Sequence, residues 1–277
     1  MNPTTPLLEQ LRRRGLSVRT AYRYMRLIRL GEDWCREHGT SLEEAGADVI
    51  EAWVATTPRT AATRRQVRCA LDHYWRLVVR SDPPLFAIRV PKKPMMVCLA
   101  LPEDDARILA KAARARGDAA GLVVLLGLYQ GLRREEIATL RWESFDAHGP
   151  GPQRWLRVVG KGERERTIPL HQAVWDAVAE IPRSSAGYVF PGRTVGSHVS
   201  PATVWAWVRT VADAAGVAGV RTHLLRHTAL ATMNDATGDL RSVQHIAGHA
   251  RPETTAGYTR ASARRLRAAV EAIDYGL

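Results

Sequence analysis

Four prolines fall within fourteen residues, in Ser81-Asp82-Pro83-Pro84 and Pro91-Lys92-Lys93-Pro94. Proline lacks the amide proton that helices and sheets need, and it drives the residue before it into extended backbone. Such a stretch is a basic, extended linker, so the chain must fold as two bodies on either side of it. The sequence thus reads as one domain over 1–90 and another over 91–277.

The first domain reads as all-helical. A helix over 17–38 starts at Ser17, whose hydroxyl can cap it, and ends at Gly39. Val18, Ala21, Tyr22, Met25, Ile28 and Trp34 recur at helical spacing and predict its core side, while Arg19, Arg23, Arg26 and Arg29 follow another side. A second helix is expected from Asp48, with Glu51 completing a capping box. A third spans 60–79, with Val67, Leu71, Tyr74 and Val78 on one face and Arg64, Arg65, Arg68 and Arg76 largely elsewhere. One charged stripe is commonly just a solvated face; two in one small module favour a polyanionic partner.

The second domain opens with Leu101-Pro102-Glu103-Asp104-Asp105, proline and acids of a helix start. Its longest apolar run, Gly121 to Tyr129, fits a buried helix over 119–130 and falls far short of the ~20 residues that span a bilayer. A short helix follows over 134–140. Residues 154–159 and 164–169 alternate as strands around Gly160-Lys161-Gly162-Glu163, which predicts a β-hairpin. Helices are expected over 171–180, 201–215, 223–237, 240–247 and 262–273. The fold class is therefore mainly α, with one small antiparallel sheet.

Lys plus Arg number 40 against 28 Asp plus Glu, a net charge of +12. The preference for arginine over lysine fits a GC-rich genome; the excess of base over acid does not follow from that and points to nucleic acid. Cys35, Cys69 and Cys98 stand far apart, which fits a reducing cytoplasm and argues against a cysteine-based zinc site. His223, His227, His245 and His249 form two H-x-x-x-H pairs, a spacing that can hold a metal. Neither pair carries the glutamate of H-E-x-x-H, and Arg226 lies inside the first, which disfavours a metal. His223 and Arg226 would converge at a helix N-terminal turn, which suits an anion, although a single such pair is more commonly a polar surface face.

Four short motifs then follow in order: Gly131-Leu132-Arg133-Arg134-Glu135-Glu136, Gly160-Lys161-Gly162, His223-Leu224-Leu225-Arg226-His227, and Gly248-His249 leading to Thr254-Thr255 and Tyr258. Singly they carry little. Together, and with the Thr20-Ala21-Tyr22 helix of the first domain, the chain resembles the tyrosine recombinase (phage integrase) family over nearly its whole length. It departs from the family pattern at Ala247 and Arg260, neither of them a catalytic position there.

That resemblance implies a site-specific recombinase or integrase that cleaves and rejoins DNA through a 3′-phosphotyrosine link. It implies Tyr258 as nucleophile, Arg133 and Arg226 on the non-bridging phosphate oxygens, and His249 as a further donor. His223 would accept the tyrosine proton and Lys161 protonate the leaving oxygen, with Glu136 supporting the arginines. His227 reads as structural. Arg19, Arg23, Arg26, Arg64, Arg65, Arg68, Lys92 and Lys93 are the expected DNA contacts. The implied partners are double-stranded DNA with a specific core site, further copies in a tetrameric synapse and an accessory directionality factor; no membrane, metal or other cofactor is expected. The amphipathic 262–273 segment, with Leu266, Ala269, Val270 and Ile273 on one face, either docks on its own domain or, as the resemblance implies, on a neighbouring protomer. Tyr129, Tyr188 and Tyr275 read poorly as nucleophiles, in an apolar helix, a strand-like segment and near the terminus. The tryptophans, among them Trp142, Trp175 and Trp205, read as core or interface anchors.

Overall fold

The computed structural model describes residues 4–56, 60–80, 82, 100–146, 149, 154–160, 163–183, 187–248, 267–268 and 270–276. The chain divides into two compact units, Met1–Val97 and Cys98–Leu277.

In the first unit, helix α1 (Thr4–Arg13) is followed by α2 (Val18–Glu37), whose start is fixed by Ser17 Oγ accepting the Thr20 N–H at 3.3 Å. Helices α3 (Ala47–Thr56) and α4 (Ala61–Tyr74) complete the bundle, α4 running on into a π-helical turn, Trp75–Val79. Leu11, Ile28, Ile50, Trp53, Val67, Leu71, Tyr74 and Trp75 form its core. Gly31 lets the Trp53 ring lie against α2; a Cβ there would come within 2.9 Å of the indole.

Three expectations need correction. Val18 and Tyr22 lie on the surface, because Leu27, Gly31 and Cys35 bring a different side of α2 inward, and Val78 of the π-helical turn is exposed as well. α3 begins at Ala47, which puts Asp48 in its first turn rather than at its cap.

The second unit is built around α6 (Ala119–Gln130), which is buried on every side from Ala120 to Gln130. An all-apolar helix has no face to give to water, so others surround it: α5 (Glu103–Arg116), α8 (Gln172–Ala179), α9 (Pro201–Ala214) and α10 (Thr222–Thr237). Gly127 permits the close crossing with α10, where a Cβ would meet Leu225 at 3.0 Å. The short α7 (Arg134–Ala138) and a 3-10 turn, Trp142–Asp146, lead into the antiparallel hairpin of β1 (Trp155–Val159) and β2 (Glu165–Pro169). Its register pairs Leu156 with Ile168 and Val158 with Arg166. α11 (Leu240–Ala247) follows α10. The buried Gln130 amide joins α6 to the end of the hairpin: with its nitrogen toward Pro169 O (3.0 Å), its oxygen accepts the His171 N–H (2.7 Å).

Near the C-terminus, Val270, Ile273 and Tyr275 are buried in the core of their own unit, and His171 Nε2 lies 3.1 Å from Ile273 O. For these residues docking is in cis; Leu266 and Ala269 lie outside the described residues. Trp142 and Trp155 are core residues and Trp175 packs against the core. Trp205 instead lies on the surface, 39% exposed, beneath the Arg209 guanidinium.

Candidate active site

Gly131 ends α6 with φ +60°, a left-handed conformation that glycine adopts without strain. The chain turns there and places Arg133 at the N-cap of α7. Glu136, three residues on, reaches back: Oε2 accepts the Arg133 N–H at 2.9 Å and Oε1 accepts Arg133 Nη1 at 2.9 Å. Glu136 is only 4% exposed, so its charge needs more than one partner. Arg166 of β2 supplies the second as a two-pronged fork, Nη1 to Oε1 at 2.8 Å and Nη2 to Oε2 at 3.0 Å. Burial pushes the Glu136 carboxyl up, but hydrogen bonds and charge from Arg166, with the Arg133 N–H and guanidinium, overcome this and hold it below its ordinary value.

Arg226 comes from α10 and is 2% exposed. Instead of converging with His223 at the helix surface, it turns inward: Nη1 donates to Gly131 O at 2.5 Å and Nη2 to Ala247 O at 2.6 Å. Burial, then the nearby Arg133 charge, lowers its pKa to about 10, so it stays cationic at neutral pH.

The end of α11 ties these groups together. The last carbonyls of a helix have no partner within it and carry the negative end of its dipole. Here three in succession accept from three arginines: Ile246 O from Arg166 Nε at 2.9 Å, Ala247 O from Arg226 Nη2 at 2.6 Å, and Gly248 O from Arg133 Nη2 at a long 3.5 Å. Gly248 has φ +58°, and a Cβ there would strike the Arg166 guanidinium within about 3.1 Å. Gly160, at the base of the hairpin tip, also runs against this group, its Cβ position 3.6 Å from Glu136 Oε1.

His223 is exposed, and its ring centroid lies 4.1 Å from that of His227, edge to face. Burial, then His227, Arg226 and Arg133, lowers the His223 pKa against a small opposing effect of Glu135, so the ring is neutral at pH 7 and can accept a proton. Tyr129 and Tyr275 are both buried, their rings 5.0 Å apart, and burial pushes the Tyr275 phenol up to about 12. Lys161, His249, Tyr258, Lys92 and Lys93 lie outside the described residues. Among the described residues no three His, Cys, Asp or Glu side chains gather as a metal site would require.

In the first unit, Arg19, Arg23, Arg26 and Arg29 are exposed on α2 and Arg68 is exposed on α4, whereas Arg64 and Arg65 are half-buried.

Arg166 is the member of this group that sequence reasoning missed. In the run Arg-Glu-Arg-Thr it looks like ordinary strand-edge charge. The signal was the two-residue period of the strand, which puts Arg166 on the same face as the buried Ile168, opposite the buried Val158.

The phage integrase family matches residues 100–265, which takes in every arginine of this cluster. This chain belongs to the phage integrase family. As a tyrosine recombinase, it cleaves and rejoins DNA in site-specific recombination. Among its relatives, the tyrosine recombinase XerD of Caulobacter vibrioides is 31% identical over 254 residues, covering 82% of this chain and 81% of the relative. The integrase of mycobacterium phage Brujita superposes with a TM-score of 0.54 at 28% identity, covering 99% of this chain and 93% of the other. A lambda integrase tetramer bound to a Holliday junction shares the fold, with a TM-score of 0.65 at 18% identity, over 93% of this chain and 79% of that one. Mainly helical, with one two-stranded sheet among the described residues, the chain shares the fold of these integrases. No helix among the described residues is long and apolar enough to cross a membrane.

Proposed function

We propose that Tyr258 is the nucleophile and that Arg133 and Arg226 stabilise the phosphoryl transition state. Tyr258 Oη attacks phosphorus and gives its proton to His223; the bond to the 5′-oxygen breaks, and Lys161 protonates that oxygen as it leaves. The product is a 3′-phosphotyrosyl link and a free 5′-hydroxyl, and the reverse steps with another strand rejoin the DNA. His249 donates a further hydrogen bond to the non-bridging oxygens. Glu136 holds the arginines and does not touch DNA, and His227 is structural.

One observation supports this reading above the rest. Arg133 and Arg226 come from segments far apart in sequence, yet both are fixed on carbonyls at the end of α11, next in sequence to His249. Cations fixed before substrate arrives meet the developing charge with little reorganisation, which is what makes electrostatic stabilisation large.

We further assign DNA affinity to residues 1–90 and to the linker, through Arg19, Arg23, Arg26, Arg64, Arg65, Arg68, Lys92 and Lys93. These side chains reach phosphates, so binding falls steeply with salt. Four copies assemble on DNA, a reading supported by the lambda integrase tetramer bound to a Holliday junction, which shares the fold.

The nucleophile is tested by trapping. On a nicked site whose short leaving strand, the one bearing the new 5′-hydroxyl, dissociates after cleavage, the wild type should accumulate a covalent protein–DNA adduct. Tyr258→Phe should form none while binding the site as tightly. An adduct with the Phe variant would reject Tyr258.

A further inference from the structure

We propose that Arg166 is a positioning residue for strand cleavage: by gripping Glu136 and the Ile246 carbonyl together, it fixes the Arg133 guanidinium for the scissile phosphate. The proposal rests on the catalytic reading of Arg133 given above and extends it by one residue.

Arg166 is committed to the protein rather than to DNA. Nε donates to Ile246 O, and both Nη groups donate to the Glu136 carboxylate, which offsets its charge, whereas Arg226 donates to neutral carbonyls and keeps its charge for a phosphate. Its effect must pass through what it holds. Both oxygens of Glu136 are shared: Oε1 between Arg133 Nη1 and Arg166 Nη1, and Oε2 between the Arg133 N–H and Arg166 Nη2. The terminal torsion of a glutamate is broad and poorly fixed by its own chain. The planar fork of Arg166 fixes it instead, and the Arg133 guanidinium takes its direction from the same Oε1. Through Nε, Arg166 also anchors the end of α11, whose next two carbonyls hold Arg226 and Arg133.

Charge points the same way. Glu136 and Arg133 alone would be a neutral pair, with little pull on a phosphate. Arg166 offsets the carboxylate and leaves the Arg133 charge uncancelled. A pair kept only for stability could be replaced by apolar side chains at little cost; an arginine that sets another arginine's direction and net charge could not.

The test compares single-turnover cleavage of two DNAs. One carries the ordinary scissile phosphate. The other carries a methylphosphonate there, in which methyl replaces one non-bridging oxygen and the charge is lost. Arg133→Ala is the control and should be much less impaired on the neutral DNA. Arg166→Ala should cleave the ordinary DNA on the order of 100-fold more slowly, bind it with unchanged Kd, and recover selectively on the methylphosphonate, as the control does. Arg166→Lys keeps the charge and loses the fork; it should fold even if Arg166→Ala does not, and show the same pattern in weaker form.

Equal loss on both DNAs would mark Arg166 as merely structural and overturn the proposal. So would wild-type rates for Arg166→Lys on ordinary DNA, since position would then not matter. If Arg133→Ala itself gains nothing from the neutral DNA, the catalytic reading of Arg133 fails, and that control shows it whatever the Arg166 variants do.

Discussion

Arginine serves two opposite purposes in the two units. On α2, Arg23, Arg26 and Arg29 are exposed, while in the second unit Arg226 is among the most deeply buried polar residues and the Arg166 side chain is only 8% exposed. An exposed arginine is hydrated and samples many rotamers, so it offers attraction without direction, and salt screens it. A buried one is costly unless every donor is matched, and in return its direction is set by the protein. The first kind suits holding a long polyanion; the second suits a single phosphate whose charge rises for an instant.

The comparison breaks first at Glu136. Glu136→Ala would leave Arg133 and Arg166 without their carboxylate, and unfolding in urea should show a loss of about 3–5 kcal/mol, with no cleavage. If stability hardly changes, the buried network is not the structural centre it looks to be. Arg226→Ala should come next, slowing single-turnover cleavage by about 10²–10³-fold at saturating DNA. Arg23→Ala or Arg26→Ala under the same conditions should cleave at the wild-type rate. These two should instead weaken binding to all sequences alike, and each should lower the dependence of log K on log salt by about one. A change in cleavage rate at saturation would erase the distinction between the units.

The smallest effect is on pH. In the proposed mechanism His223 is the base, so activity would fall as it gains a proton; burial and then the neighbouring cationic charges lower its pKa, so the acid limb of the rate profile should lie below the ordinary 6.5. Arg133→Ala removes one of those charges and should move the limb upward, toward 6.5, in what activity remains. Arg26→Ala should leave it in place.

Much of this was legible because periodicity and caps act locally. Ser17, Thr60, Gly131 and the apolar run into Gln130 mark element ends that the structure reproduces within a residue or so. Arg133, Glu136 and Arg226 stood out through motif spacing. The way they hold one another did not, since the groups that orient them are main-chain carbonyls of α11, and any residue supplies a carbonyl. The surface position of Tyr22 was likewise hidden: its spacing suits the core as well as its neighbours do, and only the packing of α3 and α4 on α2 decides which side turns inward. Trp205 shows the same limit, a large apolar side chain left outside once Val204 and Val208 have taken the inner face of α9.

The burial of α6 on all sides has a consequence for how the molecule wears out. Amide protons of Leu122 to Leu128 can reach water only when the surrounding helices separate, so they should exchange by global unfolding and be the last of the unit to do so. Gly131 continues directly from this helix, and its carbonyl holds Arg226. The turn that carries Arg133 is thus moored to the slowest-opening part of its unit. On heating, loss of cleavage should therefore track loss of the fold itself, with no earlier, local failure of the arginine cluster.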